Sequence, residues 1–505
     1  MLGALVTSCD MNLEPQGSLS TDTSELSFDD MTKLRMGLYP SFRSLSSGSY
    51  ITIPELMMDK FNGTLDNGNR NGQLANKLFN SSTGEFETIY YNEYSAIAAA
   101  NFVMQEIEKF KASNTVEGED ALLLERYEGE AKFFRAYYYW YLFEHFCQPY
   151  TADKAQTPAL GLSLQLTYAP GGISSNYPGR STMEETLNAI KSDLTDAYNA
   201  LVAYEAMDDS DLQPETAYLS SDVVKAFEAR VCLAIGDYAG AIAAAEPVVT
   251  SKRYELVPAT AYESLWLDDS GTELIMLPSA SASEGGGIGI YGIYNSTSVA
   301  TSSDYIPCED ILLAYEEGDV RMESFFNAKQ LNIQTQNYIT FAFNKYPGNA
   351  AMAGNGRLNK SKPFRASELY LILAEAYAVQ GTTPAKGLDY LNDLLEARYE
   401  AGTFTDLALQ GSALIDRIRE ERAKELIGEG FRFGDLRRWG IGFTRSIDYP
   451  VIDQVAQNPV ALKNALNPLG GRVVYEAGDS RYTWPIPSAE MDINPQLAGQ
   501  QNPGY

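Results

Sequence analysis

One histidine, four cysteines and four tryptophans are all that 505 residues hold of these types, and each shortage removes a class of function. With His145 alone, most zinc sites and the ordinary Ser-His or Cys-His nucleophile pairs cannot be built, so any catalysis would rest on carboxylates. Beyond Cys9, the cysteines Cys147, Cys232 and Cys308 allow at most one disulfide, and no pair has CxxC spacing. Cys147 and Cys232 fall in apolar helical patterns and read as buried thiols. Basic residues are scarce as well: 38 Lys+Arg face 67 Asp+Glu, a formal charge of −29. Phosphate backbones and anionic lipid surfaces are repelled by such a surface, so nucleic acid is not an expected partner. No run reaches the ~18 apolar residues of a membrane-spanning helix. Disorder is excluded too, because 45% of the chain is hydrophobic and 21% charged.

Tyrosine (33) and phenylalanine (21) dominate the aromatics, and Asn- and Gly-rich stretches recur. Flat faces beside amide groups suit polar, uncharged ligands such as sugars. Helical periodicity prevails along the chain. Ser27-Phe28-Asp29-Asp30 and Thr182-Met183-Glu184-Glu185 set a hydroxyl three residues before a carboxylate, the pattern of reciprocal N-terminal capping. Leu187, Ile190, Leu194 and Tyr198 then recur at steps of three and four, and Tyr127 to His145 keep the same step through 126–146. Lys225–Ala245 reads as an Ala-rich helix, a Gly236-Asp237-Tyr238 turn and a second helix; Glu368–Leu395 repeats that plan around Gly381. Segments 89–110 with 127–146, and 187–201 with 223–235, suggest two further pairs. The expected fold is mainly α: a tetratricopeptide-like scaffold of about four helical pairs with long irregular loops and few short strands. The long excursions are 62–83, 149–179, 279–307, 331–362 and 447–484, and loops of that length inside a compact body tend to carry function.

Several motifs imitate known sites. Gly287-Ile288-Gly289-Ile290-Tyr291-Gly292 spells a dinucleotide fingerprint, but no strand runs into it and no helix start follows it. Asn67, Asn69, Asn71 and Gly72 resemble the opening of a calcium loop, yet Leu78 stands where the bidentate acid belongs. No metal or cofactor is called for, although a looser structural calcium site near Asp208, Asp209 and Asp211 is left open. His145 lies on the apolar stripe of its helix and reads as a packed side chain.

Three segments carry a specific resemblance. Gly129-Glu130-Ala131, Arg135-Ala136 and Tyr138 are similar to a Gly-Glu-Ala-x-x-x-Arg-Ala-x-x-Tyr helix. The run Glu421-Arg422 through Glu425-Leu426, Glu429-Gly430, Arg432, Asp435-Leu436 and Arg438 resembles a second signature. Pro485-Ile486-Pro487, Asn494-Pro495 and Asn502-Pro503-Gly504-Tyr505 look like a characteristic ending. All three resemble the SusD/RagB-like surface glycan-binding lipoproteins of the Bacteroidetes. At the other end, Thr7-Ser8-Cys9 after a short apolar run resembles a bacterial lipobox. Residues 1–8 are then a residual signal segment, Cys9 the lipid attachment point, and 9–505 a single domain. The resemblance implies a non-catalytic, outer-membrane lipoprotein facing the cell exterior. It would capture oligosaccharide and act as a hinged lid on a SusC-like TonB-dependent transporter. Glu421, Glu425 and Arg422 are expected to pair across turns of their own helix, and Arg432, Asp435 and Arg438 to fix helices through ion pairs.

In the resembled family the ligand surface is made by two loop regions, which map here to 62–91 and 291–305. The candidate contacts, chosen from loop composition, are Asn69, Arg70, Asn71, Phe79 and Tyr90 from the first and Tyr291, Tyr294 and Tyr305 from the second. Neither region contains tryptophan, so tyrosine and phenylalanine would serve as the platforms. Two other readings stand beside this one: the same scaffold capturing peptide, and a glycoside hydrolase working with carboxylates alone.

Overall fold

A computed structural model describes residues 26–64, 71–207, 215–281, 293–295, 301–333, 336–352, 358–445 and 473–505. Helices dominate, as the periodicity requires. In chain order they are α1 (Phe28–Leu45), α2 (Ser49–Leu56), α3 (Gly72–Ala75), α4 (Gly84–Ser113), α5 (Gly118–Phe146), α6 (Met183–Glu205), α7 (Ser221–Ala234) and α8 (Tyr238–Thr250). They continue with α9 (Tyr262–Leu267), α10 (Glu309–Leu313), α11 (Val320–Phe325), α12 (Ala366–Gln380), α13 (Pro384–Glu396), α14 (Gly411–Glu425), α15 (Arg432–Trp439) and α16 (Ser488–Ile493). Both capping boxes form: Ser27 with Asp30 starts α1, and Thr182 with Glu185 starts α6. The turns at Gly236 and Gly381 are left-handed, with φ of 76° and 74°, which is why glycine stands at both.

Neighbouring helices pair as hairpins, α4 on α5, α7 on α8 and α12 on α13. One expectation changes here. The segment 187–201 lies in α6, which packs against α5 as well as against α7, and α7 forms its hairpin with α8. Segments 187–201 and 223–235 therefore do not make a separate pair.

The Gly-Glu-Ala helix shows its purpose in these contacts. A Cβ on Gly129 would stand 2.7 Å from Ala200 Cβ, so only glycine lets α5 approach α6 this closely. Glu130 receives Arg35 from α1 at 2.5 Å, while Arg135 reaches Asp193 on α6 and Asn101 on α4, both at 2.7 Å. Four helices are thus tied through two side chains of α5. Around them lies an aromatic core in which Phe42 meets Phe134, Phe133 meets Phe227 and Phe227 meets Phe364, with ring centroids 5.2, 5.6 and 5.9 Å apart.

The strands are mostly short: β1 (Phe61–Gly63), β2 (Leu274–Met276), β3 (Ile293–Asn295), β4 (Thr301–Ser303), β5 (Tyr305–Pro307), β6 (Phe326–Ile333), β7 (Gln336–Phe343), β8 (Phe364–Arg365), β9 (Phe443–Arg445) and β10 (Val473–Tyr475). Three antiparallel pairs, β1–β5, β2–β8 and β9–β10, stand apart from a four-stranded sheet ordered β3-β4-β6-β7. In that sheet β4 and β6 run parallel. The hairpin β6–β7 pairs Phe326 with Phe343 through to Ile333 with Gln336, eight residues a side. It occupies a stretch read from sequence as irregular. Phe325, Phe326 and Phe343 from this region pack with Tyr262 and Trp266 of α9 into a second core.

The second signature segment forms ion pairs, mostly between elements, and Arg422 turns to Asp435 and Glu375 rather than to Glu421 or Glu425 of its own helix. Arg422 meets Asp435 at 3.0 Å, Arg438 meets Asp435 and Glu375 at 2.8 and 2.5 Å, and Arg432 meets Asp59 at 2.7 Å. Glu421 does pair within its helix, with Lys424 at 2.9 Å, but also takes Arg321 at 2.8 Å. Glu425 receives Arg365, Arg398 and Arg321 at 2.6, 3.0 and 3.2 Å. These guanidinium groups hold Glu425 well below the usual carboxylate range, against the opposing effect of its complete burial.

Candidate functional site

The structure joins the two loop regions singled out in the sequence. β1 and β5 pair antiparallel, setting Gly63 opposite Tyr305, and Thr64 N donates to Asp304 O at 2.8 Å. The ends of both excursions therefore meet at one place. Asn69, Arg70 and Tyr291 lie outside the described residues, as do Cys9, Asp208, Asp209 and Asp211. Tyr294 is the middle residue of β3, opposite Ser302. Asn71 takes a left-handed conformation (φ 55°) ahead of α3, which asparagine tolerates better than most residues.

Phe79 and Tyr305 are core residues, 4% and 2% exposed. Phe79 packs between Phe86 and Tyr505 with Arg481 over its ring, and Tyr305 belongs to the second core. Neither ring presents an open face. Tyr90 is also largely buried, packed on Phe146 at 5.1 Å and Tyr94 at 4.8 Å, but its side chain reaches the wall of an open groove.

That groove, about 660 Å³, runs between the first half of α4, the segment 163–178 and α16. On α4, Gly84, Glu87, Thr88, Tyr91 and Tyr94 follow at helical steps of three and four, so they form one face. The core stripe of the same helix is Phe86, Ile89, Tyr90, Glu93 and Ile97. Tyr91 falls off that stripe and is 70% exposed. It presents a free ring face, while Tyr94 is fixed by its hydroxyl donating to Ser163 O at 3.0 Å. Across the groove stand Tyr177, Gln165, Glu490 and Asn494.

Each of these is held by its surroundings. Tyr139 hydroxyl and Asn101 bind the backbone of Gln165, at 2.6 to 2.9 Å, so its position is set while its side-chain amide stays unengaged. Tyr177 donates to Gly171 O at 3.2 Å, and Asn494 Nδ2 donates to Pro178 O at 3.0 Å. α16 is docked on α4's start by Ser488 N donating to Ser81 O at 2.8 Å. Burial pushes the Glu490 carboxyl up, partly offset by Asn494. The lining contains two carboxylates, Glu87 and Glu490, and no lysine or arginine. Arg180, whose charge acts on Tyr90, is spent on the carbonyls of Leu160, Gly161 and Gln500 and on Asn502.

Chemically, this combination offers aromatic faces to C–H surfaces and amide or carboxylate oxygens to hydroxyl groups. Charged ligands of negative sign find no counter-ion in it. The sequence reading took its contacts from the regions 62–91 and 291–305, whereas this groove is lined by α4, by the excursion 149–179 and by α16, and of the named candidates only Tyr90 reaches it. The available signal was Tyr91, an aromatic off the apolar stripe. His145, by contrast, is placed as its pattern required: 2% exposed, its Nδ1 on Tyr141 O at 2.8 Å and its ring against Tyr141 and Phe433. Burial lowers its pKa to about 3. Among the described residues no cluster of His, Cys, Asp or Glu is arranged to hold a metal ion, and no helix is long and apolar enough to cross a membrane.

Comparison with known proteins gives two family matches. Residues 312–505 match the SusD family, and residues 20–219 match a family described as "Starch-binding associating with outer membrane". A SusD-like protein P2 of Formosa agariphila is 31% identical over 185 residues, a stretch spanning 34% of this chain and 33% of that protein. Among solved structures, a SusD superfamily protein of Bacteroides thetaiotaomicron superposes with a TM-score of 0.76 at 25% identity, covering 95% of this chain and all (100%) of the other. A SusD-like carbohydrate binding protein of Bacteroides vulgatus shares the fold at a TM-score of 0.71 and 17% identity, covering 94% and 98%. The Gly-Glu-Ala helix, the ion-paired segment on α14 and α15, the docked C-terminal ending and these matches agree, and the chain belongs to the SusD family.

Proposed function

We propose that the protein binds neutral oligosaccharide at the outer membrane, without cleaving it, and passes it to a TonB-dependent transporter. The observation that carries this reading is the α4 groove, where exposed Tyr91 stands beside Tyr94, Tyr177, Gln165, Asn494 and two carboxylates with no basic residue in the lining. The family description for residues 20–219 and the carbohydrate binding named for the Bacteroides vulgatus relative support it. In this reading Cys9 carries the lipid anchor. Asn69, Arg70, Asn71, Tyr291 and Tyr294, from the two sequence regions that β1 and β5 join, supply further contacts, with Phe79 and Tyr305 as buried supports and Tyr90 as groove wall. Hand-over requires the transporter to bind the loaded, closed arrangement better than the open one.

Calorimetric titration with a panel of neutral host, plant and dietary glycans tests the reading, repeated with Tyr91→Ala and Tyr177→Ala. Binding weakened in both variants is the expected result. Unchanged affinity would remove the groove from the account, and affinity for peptides alone would favour peptide capture. Release of reducing ends from any bound glycan would overturn the non-catalytic assignment. Co-purification of a TonB-dependent transporter from detergent-solubilised membranes checks the partner.

A further inference from the structure

Two connected cavities share no residue with the α4 groove. An outer chamber of about 370 Å³ opens at the surface, and an inner one of about 90 Å³ lies behind it; Trp140, Glu144, Gly434 and Arg438 line both. The outer volume falls in the lower part of the ~300–1,000 Å³ range of small-ligand pockets. Its wall includes Trp140 and Trp439, two of the chain's four tryptophans, with the half-buried rings of Tyr150 and Tyr238.

Glu144, on α5, stands between the chambers. Its carboxylate has no hydrogen bond or ion pair with any described residue, although guanidinium groups are near. Arg438 is committed to Glu375 and Asp435, Arg230 to Glu368, and Arg437 to the carbonyls of Glu144 and Cys147. Burial pushes the Glu144 carboxyl up to about 6. Space for it is kept by Gly434, where a Cβ would lie 2.5 Å from Glu144 Oε1. The carboxylate lines both cavities without a protein partner, so its oxygens are free to accept from a ligand there.

The ligand's charge follows from the wall. An anion would face the Glu144 carboxylate, while the charges of Arg437 and Arg438 close by offset that carboxylate's pull on a cation. What remains is a neutral molecule with hydroxyl donors for the carboxylate and an apolar C–H face for the rings. We propose that the outer chamber binds a single neutral hexopyranose unit, with Glu144 accepting hydrogen bonds from two adjacent hydroxyls and Tyr150 and Tyr238 covering its C–H face. The site is separate from the groove and does not depend on what the groove binds.

Saturation-transfer NMR on the full chain with D-glucose, D-galactose and D-mannose tests this. At least one hexose should show transfer to its ring protons. The apparent affinity should fall at least tenfold in Glu144→Ala, in Gly434→Ala, whose methyl displaces the carboxylate, and in Tyr238→Ala, and stay unchanged in Tyr91→Ala. Tyr238 is half-exposed, so that variant carries the test if the interior ones fail to fold. No transfer from any of the three hexoses, or transfer that survives Tyr238→Ala and the folded interior variants, overturns the proposal. Loss of transfer in Tyr91→Ala alone would also overturn it and assign the sugar to the groove.

Discussion

Glu55 offers a measurement in which stability and pH are coupled through one side chain. It stands in the last turn of α2 at 1% exposure, accepts a hydrogen bond from Gly430 N at 3.1 Å through Oε2, and has no partner on Oε1. Burial pushes its carboxyl from 4.5 up to about 7, despite the Gly428 and Gly430 amides and the charges of Lys345 and Arg432, which act the other way. The folded chain thus keeps a proton that the unfolded chain releases. Its contribution is fully present below about pH 4.5 and is lost as pH rises to about 7. At ~1.36 kcal/mol per pH unit, that loss is about 3 kcal/mol. Glu55→Gln retains an acceptor for Gly430 and cannot ionise. The variant should therefore gain on the parent by about 3 kcal/mol between pH 4.5 and 7.5. Every other titrating group is common to both proteins and cancels in the difference. With an unfolding entropy of ~2.1 cal/mol/K per residue, the Tm gap should change by about 3 °C across that window, read from thermal melts at half-unit pH steps. A gap that stays constant, or one that moves in favour of the parent, refutes the assignment of a neutral Glu55.

Glu425→Gln leaves Arg321, Arg365 and Arg398 without their shared carboxylate. Breaking a buried pair this way costs about 3–5 kcal/mol, or about 3–5 °C in Tm, and a loss under 1 °C would show the network to be dispensable. Glu93 is fully buried, both its oxygens lack partners, and burial raises its pKa. Glu93→Gln should therefore gain stability over the parent as pH is raised from 5 to 8, measured by urea unfolding; parallel curves count against it. Tyr91→Ala removes a groove platform worth ~0.5–1.5 kcal/mol, so glycan affinity should drop about two- to twelvefold in calorimetry while Tm stays within 1 °C.

The helical frame was legible because its signals are local. Ser27 with Asp30 and Thr182 with Glu185 announce helix starts by chemistry confined to four residues, and the stripe from Tyr127 to His145 predicts its buried face directly. The regions 62–91 and 291–305 were marked out only by family resemblance, since the β1–β5 pairing that joins them links residues some 240 positions apart. The β6–β7 hairpin was hidden for a different reason. Tyr338-Ile339-Thr340-Phe341-Ala342-Phe343 has strong strand character, but it falls in 331–362, read as an irregular excursion, and pairing with Phe326–Ile333, begun outside that stretch, supplies the missing stabilisation. Exposure separates the candidate aromatics. Phe79, Tyr305 and Tyr91 are the same kind of residue in a list of letters, and only packing decides that the first two fill cores and the third faces solvent.

Why so acidic a chain keeps many of its few cations inside follows from how it joins its helices. A guanidinium fork serves several acceptors at once: Arg398 binds Glu425, Glu273 and the carbonyl of Val257, linking three segments remote in sequence. Arg321, Arg365, Arg422 and Arg438 are spent in the same way. Cations committed to junctions are not available to the exterior, and the groove shares that condition: Glu87 and Glu490 line it with no lysine or arginine beside them. Within a Debye length of ~8 Å at physiological salt, uronate and sulfate groups are repelled there, whereas neutral saccharides are not. In the function proposed, ligand charge is therefore selected by the junction chemistry of the fold as well as by contact residues. Thr88→Lys, on the exposed groove face of α4, should then admit uronate-bearing oligosaccharides that the parent rejects. The gain should fade as salt is raised from 50 to 500 mM while neutral glycan binding stays level. If the parent binds uronate chains as tightly as neutral ones, or the gain is indifferent to salt, the exclusion has another origin.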